Sequence, residues 1–246
     1  MSEEELPEGW AGTSLGDLAD LTSGAGFPLE HQGRTDGSLP FFKVGNLGEV
    51  PSGEPLLRSA HSIDERMAQQ LGAKIIPPGA VVFAKIGMAI RLNRRRQIGV
   101  RSCIDNNMMA AISGGAVEDR WLLRFLETID FMPLTQATTV PSIRKGELSE
   151  IAVPLPPLAE QRRIVEKVEA LLAQVNAARA HLAKVPTILK RFRQSILSAA
   201  CSGRLTEGWR GTASKRTPEE TEHAVFGLGR GCSVRDSSGV GMAGLG

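Results

Sequence analysis

Cysteine is scarce in this chain: Cys103, Cys201 and Cys232 lie far apart, are odd in number and include no C-x-x-C pair. That spacing leaves neither a disulfide framework nor a zinc site, and it fits a reducing cytoplasm. No apolar run approaches the roughly 18 residues that a membrane-spanning helix needs. The opening segment MSEEELPEGW is acidic and has no apolar stretch, so it does not read as a signal peptide. The expectation is a soluble cytoplasmic protein without contact to a membrane. Histidine is sparse and scattered at His31, His61, His181 and His223; each reads as a surface residue rather than a base or a ligand. Catalytic signatures are missing too: there is no G-x-x-x-x-G-K-[ST], no H-E-x-x-H and no G-x-S-x-G. An amino-methyltransferase needs an Asp/Asn-Pro-Pro-aromatic loop. The nearest strings, Ile76-Pro77-Pro78-Gly79 and Leu155-Pro156-Pro157-Leu158, lack both the polar first residue and the aromatic. No carboxylate pair stands out for a metal-dependent nuclease. Together these absences favour a non-catalytic binding module with no metal.

Glycine and proline are absent from Leu158 to Val185, where Ala, Leu, Glu, Gln, Lys and Arg dominate. These residues lose little side-chain freedom on a helix and so favour one. Ile164, Val168, Leu171, Val175, Ala178, Leu182 and Val185 alternate spacings of four and three, a heptad seam. At the helical rise this stretch makes a rod of roughly 42 Å. Pro186 should end or kink it, because proline lacks the amide donor and clashes with the preceding turn. The seam nevertheless resumes in phase at Leu189, Phe192, Ile196 and Ala199, and Cys201-Ser202-Gly203 offers a glycine stop. Two readings stand: an amphipathic helix folded onto its own domain, or an arm that pairs with another helix. The sustained heptads favour the arm.

Upstream, 246 residues leave room for one or two domains with a proper core. Leu6–Leu21 reads as an entry strand or turn and a short helix capped by Thr13 or Ser14. Leu39–Val44 is a short strand entering the turn Gly45-Asn46-Leu47-Gly48, and Ser62–Leu71 is a short helix. Lys74–Ile90 reads as strand, Pro-Pro-Gly turn and strand; further strands flank Asp105-Asn106-Asn107. Arg120–Ile129 is a helix with Trp121, Leu122, Phe125 and Ile129 on one face. Gly24-Ala25-Gly26 lacks the strand, third glycine and helix of a nucleotide loop, so it is a glycine turn. The sum is an α/β (α+β) globule over residues 1–153, then a long coiled-coil-like arm over 154–205. Residues 206–246, rich in Gly, Ser and Thr, are expected to be disordered.

The net charge of +2 says nothing about partners, but its distribution does. Met67 to Ile104 contains no Asp or Glu, while Lys74, Lys85, Arg91, Arg94, Arg95, Arg96 and Arg101 are basic. Such a surface neutralises phosphates, and arginine forks suit guanine edges; a merely solvated basic loop is the other reading. Thr138-Thr139-Val140-Pro141-Ser142-Ile143-Arg144-Lys145 is a second cluster with phosphate-contact chemistry.

PLPPLAEQRRIV (Pro154–Val165), followed by a heptad arm ending in ILSAACSGRLTEGWR (Ile196–Arg210), closely resembles the specificity subunit of type I restriction–modification enzymes. LPEGW (Leu6–Trp10), PFFKVGNL (Pro40–Leu47), PPGAVVFAKIG (Pro77–Gly87) and VPSIRKGELSEIAVPLPP (Val140–Pro157) resemble further blocks of that family in collinear order. The resemblance implies a target recognition domain that reads one part of a bipartite DNA sequence. It also implies a helical arm that spaces and docks methyltransferase subunits, with restriction or translocase subunits as further partners. Family members usually carry two recognition domains and two helical regions. This sequence has one of each, so the expectation is a half subunit that dimerises through its arm about a two-fold axis. The residues expected to contact DNA are Lys43 and Asn46; Lys85, Arg91, Asn93, Arg94 and Arg95; and Ser142, Arg144 and Lys145. The expected seam is Ile164, Val168, Leu171, Val175, Leu182, Val185, Leu189, Phe192 and Ile196. No cofactor is expected on this chain, with S-adenosylmethionine and ATP on partner subunits. Rival readings are a helical scaffold or antirestriction decoy that does not read DNA, and an enzyme with cryptic catalytic residues. Replacing Leu171 by Glu should leave the globule folded yet abolish self-association or partner binding; an unchanged complex mass by light scattering would count against the seam.

Overall fold

The computed structural model describes residues 6–135 and 140–213, so Thr138, Thr139 and the chain beyond residue 213 lie outside the described part. Strand β1 (Ala11–Ser14) runs directly into helix α1 (Leu15–Leu18). Ser14 Oγ accepts from the Asp17 N–H at 3.3 Å, the N-cap bond expected of a serine there. Then follow β2 (Ala19–Ser23), β3 (Leu39–Phe42) and β4 (Ser62–Ile63). Helix α2 (Glu65–Gln70) starts only after Asp64, whose carboxylate caps Met67 N–H at 2.7 Å. Its first expected residues are strand instead, because Ser62 pairs with Pro40. The rest of the globule is β5 (Val81–Ala84), β6 (Arg95–Gln97), β7 (Cys103–Ile104), β8 (Met108–Ser113), α3 (Asp119–Thr128), α4 (Lys145–Ser149) and β9 (Ala152–Leu155). Two further helices are α5 (Leu158–Cys201) and α6 (Glu207–Ala213).

A four-stranded antiparallel sheet has the order β2-β8-β5-β6. Val81, Val82 and Phe83 in its centre are all fully buried, which explains a continuous apolar run where a half-exposed strand would alternate. Strand β3 pairs antiparallel with β4 and parallel with β7. Strands β1 and β9 pair antiparallel from Ala11↔Leu155 to Ser14↔Ala152. Helix α3 buries Trp121, Leu122, Leu123 and Leu126, a face turned slightly from the one expected; Phe125 and Ile129 are only half-buried. This is a mixed α/β domain followed by a long helix.

The chain divides into two compact units, Met1–Gln174 and Val175–Gly246. That boundary falls inside α5 rather than at residue 153, because the first turns of α5 are built into the globule. Gln161, 1% exposed, accepts the Glu118 N–H at 2.8 Å and donates to the Pro156 carbonyl at 2.9 Å and the Ala116 carbonyl at 3.4 Å. Val165 is buried beside it. The Trp10 indole N–H donates to the Glu160 carboxylate at 3.1 Å, so the LPEGW and LAEQR blocks meet. Arg120 and Arg124 of α3 share Glu169 at 2.5 and 3.4 Å.

In the second unit the helix runs through Pro186 to Cys201 without ending. Proline there removes one backbone bond, while the bonds of its neighbours keep the rod helical. Gly203 supplies the expected stop with φ +74, a left-handed conformation. Residues Glu207–Ala213 are helical, not disordered, and Arg210 donates to the Gly203 carbonyl. Among the described residues, no helix is long and apolar enough to cross a membrane.

Gln161→Ala leaves the buried Pro156 carbonyl, the part-buried Glu118 N–H and the part-buried Ala116 carbonyl without this partner. It should lower stability by roughly 2–3 kcal/mol, seen as a lower urea midpoint at unchanged slope.

Candidate nucleic-acid interface

The carboxyl ends of β2, β3, β5 and β7 converge. Asp105 N–H donates to the Phe42 carbonyl at 2.9 Å, joining the end of β7 to the end of β3. Lys85 N–H donates to the Asn107 carbonyl at 2.8 Å, bringing in β5. Ala25 N–H donates to the Ile104 carbonyl at 3.0 Å, bringing in β2. A side chain at Gly24 would collide with the Asp105 and Ile104 carbonyls, so this glycine permits the close approach. Lys43, Lys85, Asp105 and Asn107 therefore gather at one place, although their strands are far apart in sequence. Lys43 Nζ donates to Gln32 Oε1 at 2.9 Å, and Lys85 Nζ to Ser23 Oγ at 3.0 Å. Asp105 is buried and accepts from the Asn107 backbone and side-chain N–H groups at 3.0 and 3.3 Å. Burial pushes its pKa up, and the Asn107 bonds and the charges of Lys43 and Lys85 oppose that rise.

Two more basic groups adjoin. Along β2, an edge strand, Lys74 Nζ lies 3.4 Å from Thr22 Oγ1, and Lys145 Nζ lies 3.4 Å from Asp20 Oδ1. The Thr22 hydroxyl, and then Lys145, hold the Asp20 carboxyl below the usual range. Ser142 bridges to Ile86, and Ile143 N–H donates to the Lys85 carbonyl at 2.9 Å. This seats Ser142, Arg144 and Lys145 beside the end of β5. Beyond it, Met88–Leu92 forms a 3-10 turn carrying exposed Arg91, and Asn93 takes the left-handed conformation at φ +49. Exposed Arg94 lies across Gly48 in the turn after Lys43. The three stretches singled out in the sequence thus meet.

Arg95 departs from its expected role. The residue is 2% exposed; its guanidinium stacks 3.7 Å over the Phe131 ring and donates to Asn93 Oδ1 at 2.6 Å and to the Ile129 carbonyl at 3.2 Å. Burial lowers its pKa to about 10. Pairing of β6 with β5 sets Arg95 against the Phe83 and Phe131 rings, so a charge that reads as surface in a run of arginines is core here. Arg96 likewise donates to the Val50 carbonyl at 2.9 and 3.1 Å. Asn46 is also withdrawn: 6% exposed, it accepts the Lys43 N–H at 2.7 Å and donates to Glu49 at 2.9 Å. Asn93 is half-buried and spends its carbonyl oxygen on Arg95. Sequence reasoning passed over Gln32, Asp105 and Asn107, because the β3–β7 and β5–β8 pairings and the loop carrying Gln32 bring them to the lysines from positions distant in sequence.

The chain is thus a mixed α/β globule with basic loops gathered at its strand ends, followed by a long helix. Residues 7–186 match the type I restriction modification DNA specificity domain, and the chain belongs to that family. It is 30% identical over 214 residues to the type I restriction enzyme EcoDI specificity subunit of Escherichia coli, covering 85% of this chain and 42% of that protein. The crystal structure of the HsdS subunit from Thermoanaerobacter tengcongensis superposes with a TM-score of 0.61 at 28% identity, covering 81% of this chain and 46% of the other. A chain from a structural study of complex assembly in the type I R-M system gives 0.63 at 26% identity, covering 81% and 47%. The chain spans less than half the length of each of these proteins.

Arg95→Ala should lower the melting temperature through loss of the Phe131 stack and an opened core, a cost of about 3 kcal/mol. Arg94→Ala should leave the melt unchanged; equal melts for the two variants would contradict this division.

Proposed function

We propose that this chain is a DNA-reading specificity subunit, non-catalytic itself, that directs methyltransferase subunits to one part of a bipartite DNA target. The observation that carries this reading is the convergence of the 43–49, 85–94 and 141–145 stretches into one cationic surface at the strand ends. Exposed Arg91, Arg94 and Arg144 have the reach and charge to neutralise phosphates, with Ser142 and Lys145 beside them. Phosphate contacts fix register, and groups recessed between them can then reach base edges. Restriction or translocase subunits would join the same complex. S-adenosylmethionine and ATP would sit on those partners, and the assembly would work in the cytoplasm, where its DNA is.

The helix supports the second half of the proposal. Ile164 and Val168 are half-buried in the globule, whereas Leu171, Val175, Leu182, Val185, Leu189, Phe192 and Ile196 are each 41–68% exposed. A heptad stripe left this open is what a partner helix covers. We take that partner to be the helix of a second copy, giving a two-fold dimer whose globules read inverted half-sites.

Alanine at both Arg94 and Arg144 should weaken binding to a target duplex in the assembled complex and flatten the slope of log K against log salt by roughly 2. A filter-binding series with unchanged affinity and slope would refute the phosphate assignment.

A further inference from the structure

We propose that Asn106 reads an adenine in the DNA target, its amide accepting from the adenine N6 amino group and donating to N7. This inference rests on the reading of the chain as a DNA reader and adds to that site a residue that determines specificity.

Asn106 stands at the tip of the turn between β7 and β8, which the bond from Met108 N–H to the Asp105 carbonyl closes at 3.0 Å. The turn itself uses the side chains on either side. Asp105 Oδ1 accepts the Asn107 N–H at 3.0 Å, and Oδ2 accepts from Asn107 Nδ2 at 3.3 Å. Asn106 is not used in this way, and its amide makes no hydrogen bond among the described residues. Nor does its backbone call for asparagine, since Asn93 alone among the described non-glycine residues has a positive φ. From Ser102 to Ala111 every other residue is buried or half-buried, and Asn106 alone is exposed.

Its place matches a base contact. The residue before it donates its N–H to the Phe42 carbonyl at 2.9 Å, next to Lys43, and the residue after it accepts the Lys85 N–H at 2.8 Å. The amide is therefore carried on backbone tied to the strand ends that bear both lysines, whose charges reach the adjoining Asp105. Cations so placed attract a phosphate backbone but do not distinguish bases. The amide supplies what they lack, a neutral group with donor and acceptor side by side. In the major groove, adenine presents the N6 donor beside the N7 acceptor, and asparagine meets both at once. Guanine offers two acceptors there, cytosine a donor and thymine an acceptor, so none satisfies both halves of one amide.

The test is selection from a randomised duplex pool by the chain assembled with its methyltransferase subunits, with sequencing of the bound fraction. Wild type is compared with Asn106→Ala and Asn106→Asp. The wild type should enrich a motif containing an adenine at which Asn106→Ala loses preference by roughly 5- to 150-fold, with the other positions retained. Asn106→Asp keeps an acceptor but loses the donor to N7, and should shift that position toward cytosine. In the enriched duplex, a deaza-adenine lacking N7 should weaken binding by the wild type and not by Asn106→Ala. Either variant suffices if the other does not fold by circular dichroism. A motif that neither folded variant alters would overturn the assignment while leaving DNA reading intact. So would loss at a base other than adenine, or the uniform weakening expected of a phosphate contact. A wild-type complex that enriches no motif would overturn the DNA reading itself and this inference with it.

Discussion

Everything downstream of the globule depends on one buried amide. Gln161, in the first turn of α5, offers a carbonyl to the Glu118 N–H and an NH2 group to the Pro156 and Ala116 carbonyls, of which the Pro156 bond is fully buried. Each unmet buried group is expensive, so the helix start has few alternatives to this seat. Glu160 from the same turn meets Trp10, and Glu169 two turns on holds two arginines of α3. Polar pins at three heights, with Val165 between them, anchor the first turns more specifically than apolar contact alone could. The Pro-Leu-Ala-Glu-Gln-Arg block is thus a joint rather than a reactive site.

The globule follows a second constraint, that short strands must end together. Lys43, Lys85 and Asp105 each immediately follow a strand, and the hydrogen bonds linking those ends give the loops little room to wander. Exposed arginines on the neighbouring turns surround this fixed point. The arrangement separates exposed arginines on the turns from recessed groups held by backbone geometry.

Much of this was legible in the chain. The buried Val-Val-Phe strand, the serine cap, α3 and the glycine stop all rest on local chemistry, and the structure keeps them. The helix was legible too, but not its continuity through Pro186, since one lost backbone bond cannot outweigh the turns on either side. Burial is where local reading failed. Three successive arginines look alike in sequence, yet Arg94 is exposed, while Arg95 and Arg96 are drawn inward by pairing with Phe83 and Val82. Asn46 went the same way because a turn needed its carbonyl. Asp105 was visible only as part of a turn, since its lysine neighbours arrive by pairings distant in sequence.

The pairing of β1 with β9 has an evolutionary consequence. The chain enters the globule and leaves it on adjacent strands, clamped from Ala11↔Leu155 to Ser14↔Ala152. Loops between those strands can lengthen, shorten or change their side chains while both crossings stay side by side. The residues that seat α5 come from the clamp's flanks, the β8–α3 connection and α3, not from the loops that carry Lys43, Lys85 and Asp105. Mutation can therefore rewrite the strand-end loops under one selective pressure while the joint to the helix is held by another.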